Sequence, residues 1–278
     1  MIDSVAALLA KAQHLADTAI TASPRLAGLT DQTVAKTLIR DFFRSLPTLP
    51  GRRHMADVGA AHGSIAEVFL CDGWTADLFE PDPACQQALQ RLLAAYPGRA
   101  RLFPFAVGKE NLERIQFQQN AITGLSGLTT SPFGATKGTI PVRCVRLGDF
   151  LASQNVTRLD FLKIDTEGSD FEVLEAHNFE KFPATLIFVE YSFYFLSQSP
   201  DLLRAVIGWM DTHGYKPLIF DYSDDGNFRR DNWEHRLVSI HLDVARVPTR
   251  PDSFGNILFY RKGDAHLLKT LIALIEKL

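Results

Sequence analysis

The 278-residue sequence predicts an α/β protein built on a doubly wound, mostly parallel sheet with helices on both faces. Three observations carry that prediction. Beyond Gly51, short apolar runs of strand length alternate with amphipathic segments of helix length, the order in which crossover helices join parallel strands. The runs are almost continuously apolar, as in "TLIFV" before Glu190, which suits strands buried on both faces. Small residues and acids gather where the runs stop, at "DVGAAHG", "FEPDP" and "KIDTEG". In open α/β sheets the carboxyl ends of strands are where ligands bind.

From Ser4 to about Ser45 the apolar residues recur at steps of three and four: Leu8, Ala12, Leu15 and Ala19, then Val34, Leu38 and Phe42. These are helical faces, broken around "SPRLAGLT". "LPTLPG", Leu46 to Gly51, marks a boundary. Residues 1–50 are expected to form a helical extension, a lid or an oligomer contact, and residues 51–278 the main domain. There "HMADVG" leads into a helix Ser64–Leu70, and "TADLFE" into a helix Asp82–Ala95 with Asp82 as N-cap and Pro83 first inside. "ARLFPFAV" reads as the third strand. "RLDFLKID" precedes a helix Ser169–His177, and "ATLIFVEY" one near Asp201–His213. "YKPLIFDY" and "NILFYRK" supply late strands, and a helix Asp264–Leu278 closes the chain.

Insertions are expected near 116–143 and 222–255. The first reads as strand, loop and strand. Its loop, Asn120 to Gly134, has glycines for mobility and hydroxyls for hydrogen bonding, and is placed to cap an acceptor. The second carries Arg229, Arg230, Trp233 and His235, a mixture that suits a sugar face and equally a solvated loop.

A net charge of −3 offers no electrostatic case for nucleic acid or an anionic membrane. Cys71, Cys85 and Cys144 have no metal-ligand spacing, and an odd, sparse set suits a reducing compartment. The first twenty residues lack the basic start of a signal peptide, so a cytoplasmic location is expected. The uncharged run Ile115–Thr136 is too rich in Gln, Thr, Ser and Gly to span a bilayer.

The turn after the first strand runs Asp57, Gly59, Ala60, Ala61, His62, Gly63. Its D-x-G-x-x-x-G spacing departs from G-x-G-x-x-G, whose amides face a pyrophosphate. An acid just before the turn repels phosphate and suits a cationic ligand, an ammonium or sulfonium. His62 is placed to touch the ligand or cap the helix. A tight turn that needs glycine explains the same residues without a ligand. Phe79 and Glu80 end the second strand, and a carboxylate there can accept from both hydroxyls of a ribose. The backbone of Ala106 and Val107 in "FAVGK" would lie near an adenine ring.

Asp165 interrupts an apolar run, and burying a carboxylate there is costly without a partner. Glu167 points to the same side if the chain stays extended. Gly168 then allows a sharp bend into the next helix. The helix dipole favours acids at its amino end, so capping accounts for Asp170, or for Glu167, without chemistry. His177, His213, His235 and His241 show no partner in the sequence and read as structural or solvent-facing.

Taken together, "DVGAAHG", "FEPDP", "AVG", "LGDFL", "FLKIDTEGSDFEVLEA" and "IFVEYS" resemble the FkbM family of S-adenosylmethionine-dependent methyltransferases, from about His54 to His177 and less firmly to Tyr260. The chain departs from the family at Ala61, where Asn is common, and at Tyr191, where an aliphatic residue is common. The resemblance implies a Rossmann-like class I methyltransferase fold, with a seven-stranded sheet whose last strand is antiparallel. It implies S-adenosylmethionine as cofactor and a hydroxyl of a small molecule, sugar or glycan as acceptor. The cofactor residues are then Asp57, Gly59, Ala60, Ala61, His62, Gly63, Phe79, Glu80, Ala106, Val107 and Asp165. Asp165, Glu167 and Glu190 are the candidate bases for the acceptor's proton, the first two ranked ahead. The pair Asp165 and Glu167 also suits Mg²⁺, although nothing else marks a metal site. A homodimer is a further expectation. The competing readings are a nicotinamide-dependent oxidoreductase, against which the glycine spacing counts, and a non-catalytic module that keeps the fold.

Overall fold

The computed structural model describes residues 5–22, 31–47, 50–195, 197–224, 235–242 and 244–277. Arg229, Arg230, Trp233 and the expected break "SPRLAGLT" lie outside them. The chain begins with α1 (Val5–Ala22), α2 (Asp31–Val34), a π-helical stretch (Ala35–Ile39) and α3 (Arg40–Ser45). There follow β1 (His54–Val58), α4 (Ser64–Cys71), β2 (Thr75–Phe79), α5 (Pro83–Ala95), β3 (Ala100–Phe103), β4 (Phe105–Val107), β5 (Leu112–Asn120) and β6 (Thr136–Val145). Next come α6 (Leu147–Ser153), β7 (Phe161–Ile164), α7 (Asp170–Glu175), β8 (Leu186–Ser192) and α8 (Pro200–Thr212). The chain closes with β9 (Tyr215–Asp224), β10 (His235–His241), β11 (Phe254–Arg261) and α9 (Ala265–Lys277). Among the described residues no helix is long and apolar enough to cross a membrane.

Two compact units result, Leu49–Glu190 and Met1–Thr48 with Tyr191–Leu278. In the first, parallel strands lie in the order β3-β2-β1-β7-β8, joined through helices as expected of an α/β fold. All four residues of β7 are buried, Lys163 among them. The expected third strand, "ARLFPFAV", is in fact two. Pro104 has no N–H to give a ladder, so β3 stops at Phe103, and β4 pairs with β6 in a second sheet of order β4-β6-β5. The inserted strand-loop-strand therefore exists, with its strands longer than expected. Asp82 is the N-cap of α5, its Oδ1 accepting from the Ala84 N–H at 3.0 Å.

In the second unit β9 pairs antiparallel with both β10 and β11. The main strands number eight where seven were expected, and β10 is the addition. It falls within the polar insertion, and a bulge between Leu237 and Ser239 breaks the period-two pattern that would have announced it. The buried face of α1, Leu8, Ala12 and Ala16, packs against α9 and β10. Gln13 fixes the register of that packing. Its Nε2 donates to the Ile240 carbonyl at 3.0 Å and its Oε1 accepts from the Leu242 N–H at 2.9 Å.

Candidate active site

The site lies within the Leu49–Glu190 unit, at the carboxyl ends of β1, β2 and β7. The turn after β1 is tight because it must be. Gly59 has φ +72°, and a Cβ there would stand 1.7 Å from the Asp165 carbonyl oxygen, so this position admits no side chain. Ala61 holds φ +45° with a Cβ, a left-handed conformation that Asn tolerates better. Glu80 anchors the turn. Its Oε2 accepts from the Ala61 N–H and its Oε1 from the Asp82 N–H, both at 2.8 Å. Burial pushes the Glu80 carboxyl up to about 7, against the pull of those two amides.

β7 supplies the second half. Lys163 stands directly opposite Asp57 in the β1–β7 register. Its Nζ lies 3.2 Å from Asp57 Oδ1 and 3.2 Å from Asp165 Oδ2, and donates to the Gly59 carbonyl at 2.5 Å. Burial alone would push the ammonium down, but the Asp165 and Asp57 carboxylates together raise it well above the lysine range. Burial raises the Asp57 carboxyl, with Lys163 opposing.

After Ile164 the chain does not stay extended. Glu167 has φ +57° and Gly168 φ +107°. The expectation that Glu167 follows Asp165 by strand alternation is corrected, because a left-handed turn brings it round instead. Asp170 closes that turn, its Oδ1 accepting from the Thr166 N–H at 2.7 Å and its Oδ2 from the Gly168 N–H at 3.1 Å. Burial first, and the Asp165 charge second, push the Asp170 carboxyl up to about 6.

Between these halves opens a cleft with about 540 Å³ of empty space, the open solvent at its mouth included. Of the residues singled out in the sequence, Gly59, Ala61, Phe79, Glu80, Ala106, Val107, Asp165 and Glu167 line it. Asp57, Ala60, His62, Gly63 and Glu190 do not. Asp57 is buried against Lys163, so the cation beside it is the protein's own, where a ligand cation was expected. His62 is exposed, and the N-cap of α4 is Gly63 with no side-chain cap bond. Glu190 lies outside the lining, with a carboxylate oxygen within 4.8 Å of oxygens of Asp165 and Asp170.

The acids brought within 4.8 Å of one another are Asp165, Asp170 and Glu190, not the expected pair Asp165 and Glu167. Asp165 Oδ2 faces an ammonium and both Asp170 oxygens already accept from amides, which leaves this group fewer lone pairs for a magnesium ion. His177, buried with a ring nitrogen 2.9 Å from the Phe182 carbonyl oxygen and pushed down to about 4 by burial, is structural.

The loop 120–134 closes one wall. Gly124, Ser126 and Leu128 line the cleft with Phe105 and Phe117. Ser126 Oγ donates to Asp82 Oδ2 at 2.7 Å, and Thr129 Oγ1 to the Glu167 carbonyl at 2.7 Å. Sequence reasoning placed this loop but missed Lys163. The available signal was a lysine inside a strand otherwise wholly apolar, which demands a buried partner.

A family model described as the methyltransferase FkbM domain matches residues 57–217, more than half of the chain. No curated protein matches the sequence. Among solved structures the chain is similar to the precorrin-6y C5,15-methyltransferase of Geobacter metallireducens GS-15, at 12% identity over 83% of this chain and 89% of that one, TM-score 0.41. It is similar to an rRNA methylase of Streptococcus thermophilus at 9% identity over 81% and 94%, TM-score 0.41. A SAM-dependent methyltransferase of Archaeoglobus fulgidus matches at 14% identity over 80% and 92%, TM-score 0.37. The family assignment rests on the sequence match alone: this chain belongs to the FkbM family of S-adenosylmethionine-dependent methyltransferases.

Proposed function

We propose that the chain transfers the methyl group of S-adenosylmethionine to a hydroxyl of a small molecule, sugar or glycan. One observation carries the reading. Glu80, the backbone of Ala106 and Val107, and the pair Asp165 and Glu167, drawn from three strand ends, line one cleft. In this reading Phe79, Val107 and Phe117 enclose the adenine, and Glu80 accepts from the ribose hydroxyls with lone pairs its two amides leave over. Asp165 and the Gly59 turn hold the methionine end. The cofactor supplies an electrophilic methyl on sulfur, and the protein's part is to place an acceptor oxygen in line with it and take its proton.

Glu167 is the base in this scheme. It lines the cleft beside Asp165 and is anchored through its carbonyl by Thr129, whereas Asp165 faces Lys163 and Glu190 is not part of the lining. The turn Asp57–Gly63 and His62 frame the cofactor's entry. A homodimer and a cytoplasmic location complete the proposal.

The test is transfer of labelled methyl from S-adenosylmethionine into a panel of sugars, polyketides and peptides. Label in a hydroxyl ether is the expected result. Transfer only to nitrogen or carbon, or to RNA, would overturn the acceptor class. No calorimetric binding of S-adenosylmethionine would overturn the cofactor reading.

A further inference from the structure

Lys163 is the one lysine or arginine buried among the described residues. It does not line the cleft, yet it touches both halves of its wall. The charged groups around it are all acids: Asp57 on β1, Glu80 after β2, Asp165 on its own chain, and beyond Asp165 the carboxylates of Asp170 on α7 and Glu190 on β8. A lone ammonium is costly to bury unless it resolves a larger cost, namely the buried carboxylate of Asp57 left facing the half-buried one of Asp165.

We propose that Lys163 is the positioning residue of the cleft: its ammonium ties the Gly59 turn to Asp165 and balances Asp57, so that of the two carboxylates it contacts only Asp165 is presented to the cofactor. That carboxylate would face a ligand whose methionine end carries a sulfonium and an ammonium beside one carboxylate. The same ammonium fixes where that charge sits, because the Gly59 carbonyl and Asp165 share its donors. Asp57 then works as the counter-ion that keeps Lys163 in place, and only Asp165 meets the ligand. The inference rests on the cleft taking S-adenosylmethionine.

A double-mutant cycle decides it, using Lys163→Met, Asp57→Asn and both together, with urea unfolding of each variant and calorimetric titration with S-adenosylmethionine. Lys163→Met should weaken binding at least about tenfold, because it strands the buried Asp57 carboxylate and frees Asp165 from its tie. The double variant restores one net negative charge at Asp165, and should bind more tightly and unfold at higher urea than Lys163→Met alone. Side chains that merely fill space would give no such rescue.

Folded Lys163→Met with wild-type affinity would overturn the proposal, as would a double variant whose loss is the product of the two single losses. If Lys163→Met does not fold, the double variant still decides: folding with measurable binding supports charge balance, and failure to fold overturns it. Wild-type protein that binds no S-adenosylmethionine, while the urea cycle still shows rescue, would fail the cleft reading and reduce Lys163 to a structural ion bridge.

Discussion

The two edges of the parallel sheet in the Leu49–Glu190 unit handle their acids in opposite ways. On the amino-terminal side Asp77 is buried and fully matched. Arg101 donates to both its oxygens at 2.7 Å, and His54 Nε2 lies 3.3 Å away. Burial alone would raise the Asp77 carboxyl, but His54 and Arg101 together hold it below the usual range. Asp160 is likewise gripped by the Arg158 fork, Nε at 2.6 Å from its Oδ2. On the carboxyl side Asp57, Glu80 and Asp170 are all raised, and Ala61 and Glu167 hold left-handed backbone. One edge matches its acids with cations, and the other holds raised acids and left-handed backbone, the kind of unfavourable groups that cluster at functional sites.

Mutations can break that contrast or sharpen it. The largest effect is expected from Glu80→Ala, which leaves two amides and a ribose without their acceptor. Affinity for S-adenosylmethionine should fall by more than about a hundredfold in calorimetry, and urea stability should fall by about 1–3 kcal/mol for each amide left unsatisfied. Glu167→Gln should leave binding intact and slow single-turnover methyl transfer by about a hundredfold. On the opposite edge, Asp77→Asn should cost about 3 kcal/mol of unfolding free energy and leave cofactor affinity unchanged, since it breaks a buried pair away from the cleft. If Asp77→Asn instead abolished binding, the functional division of the two edges would be wrong.

The pH profile tests the same division. The Glu80 carboxyl rises from 4.5 when unfolded to about 7 when folded, so its contribution to stability is present at low pH and is lost as pH climbs through that window. Cofactor binding should run the other way, because it uses the carboxylate. Affinity should weaken below pH 7 by up to about tenfold per unit, and Glu80→Gln should flatten both trends. Asp77, with a lowered carboxyl, contributes stability present above its unfolded value and lost as pH falls through its folded one. The smallest effect is Ala61→Asn, expected to add about 1 kcal/mol of stability by relieving the left-handed alanine.

The fold and most of the cleft were legible in the sequence because they depend on local signals. Apolar runs, glycine turns and the Asp82–Pro83 helix start announce themselves within a few residues. What escaped depends on register and on turns. Lys163 meets Asp57 only because β1 and β7 align those two positions across a hundred residues of chain. Glu167 reaches the cleft through a left-handed bend that strand alternation does not foresee. His62 and Asp57 stand outside the cleft's lining, because nearness to a glycine turn in sequence does not say which way a side chain faces.

Pro104 carries a consequence of its own. By ending β3 it hands the chain over to a second small sheet, and the loop over the cleft grows from that sheet. Changes in the loop's length or composition therefore leave the parallel ladder's pairing untouched. The parallel ladder and the loop over the cleft thus draw on separate backbone pairing, and a single ring-closed residue marks the seam between them.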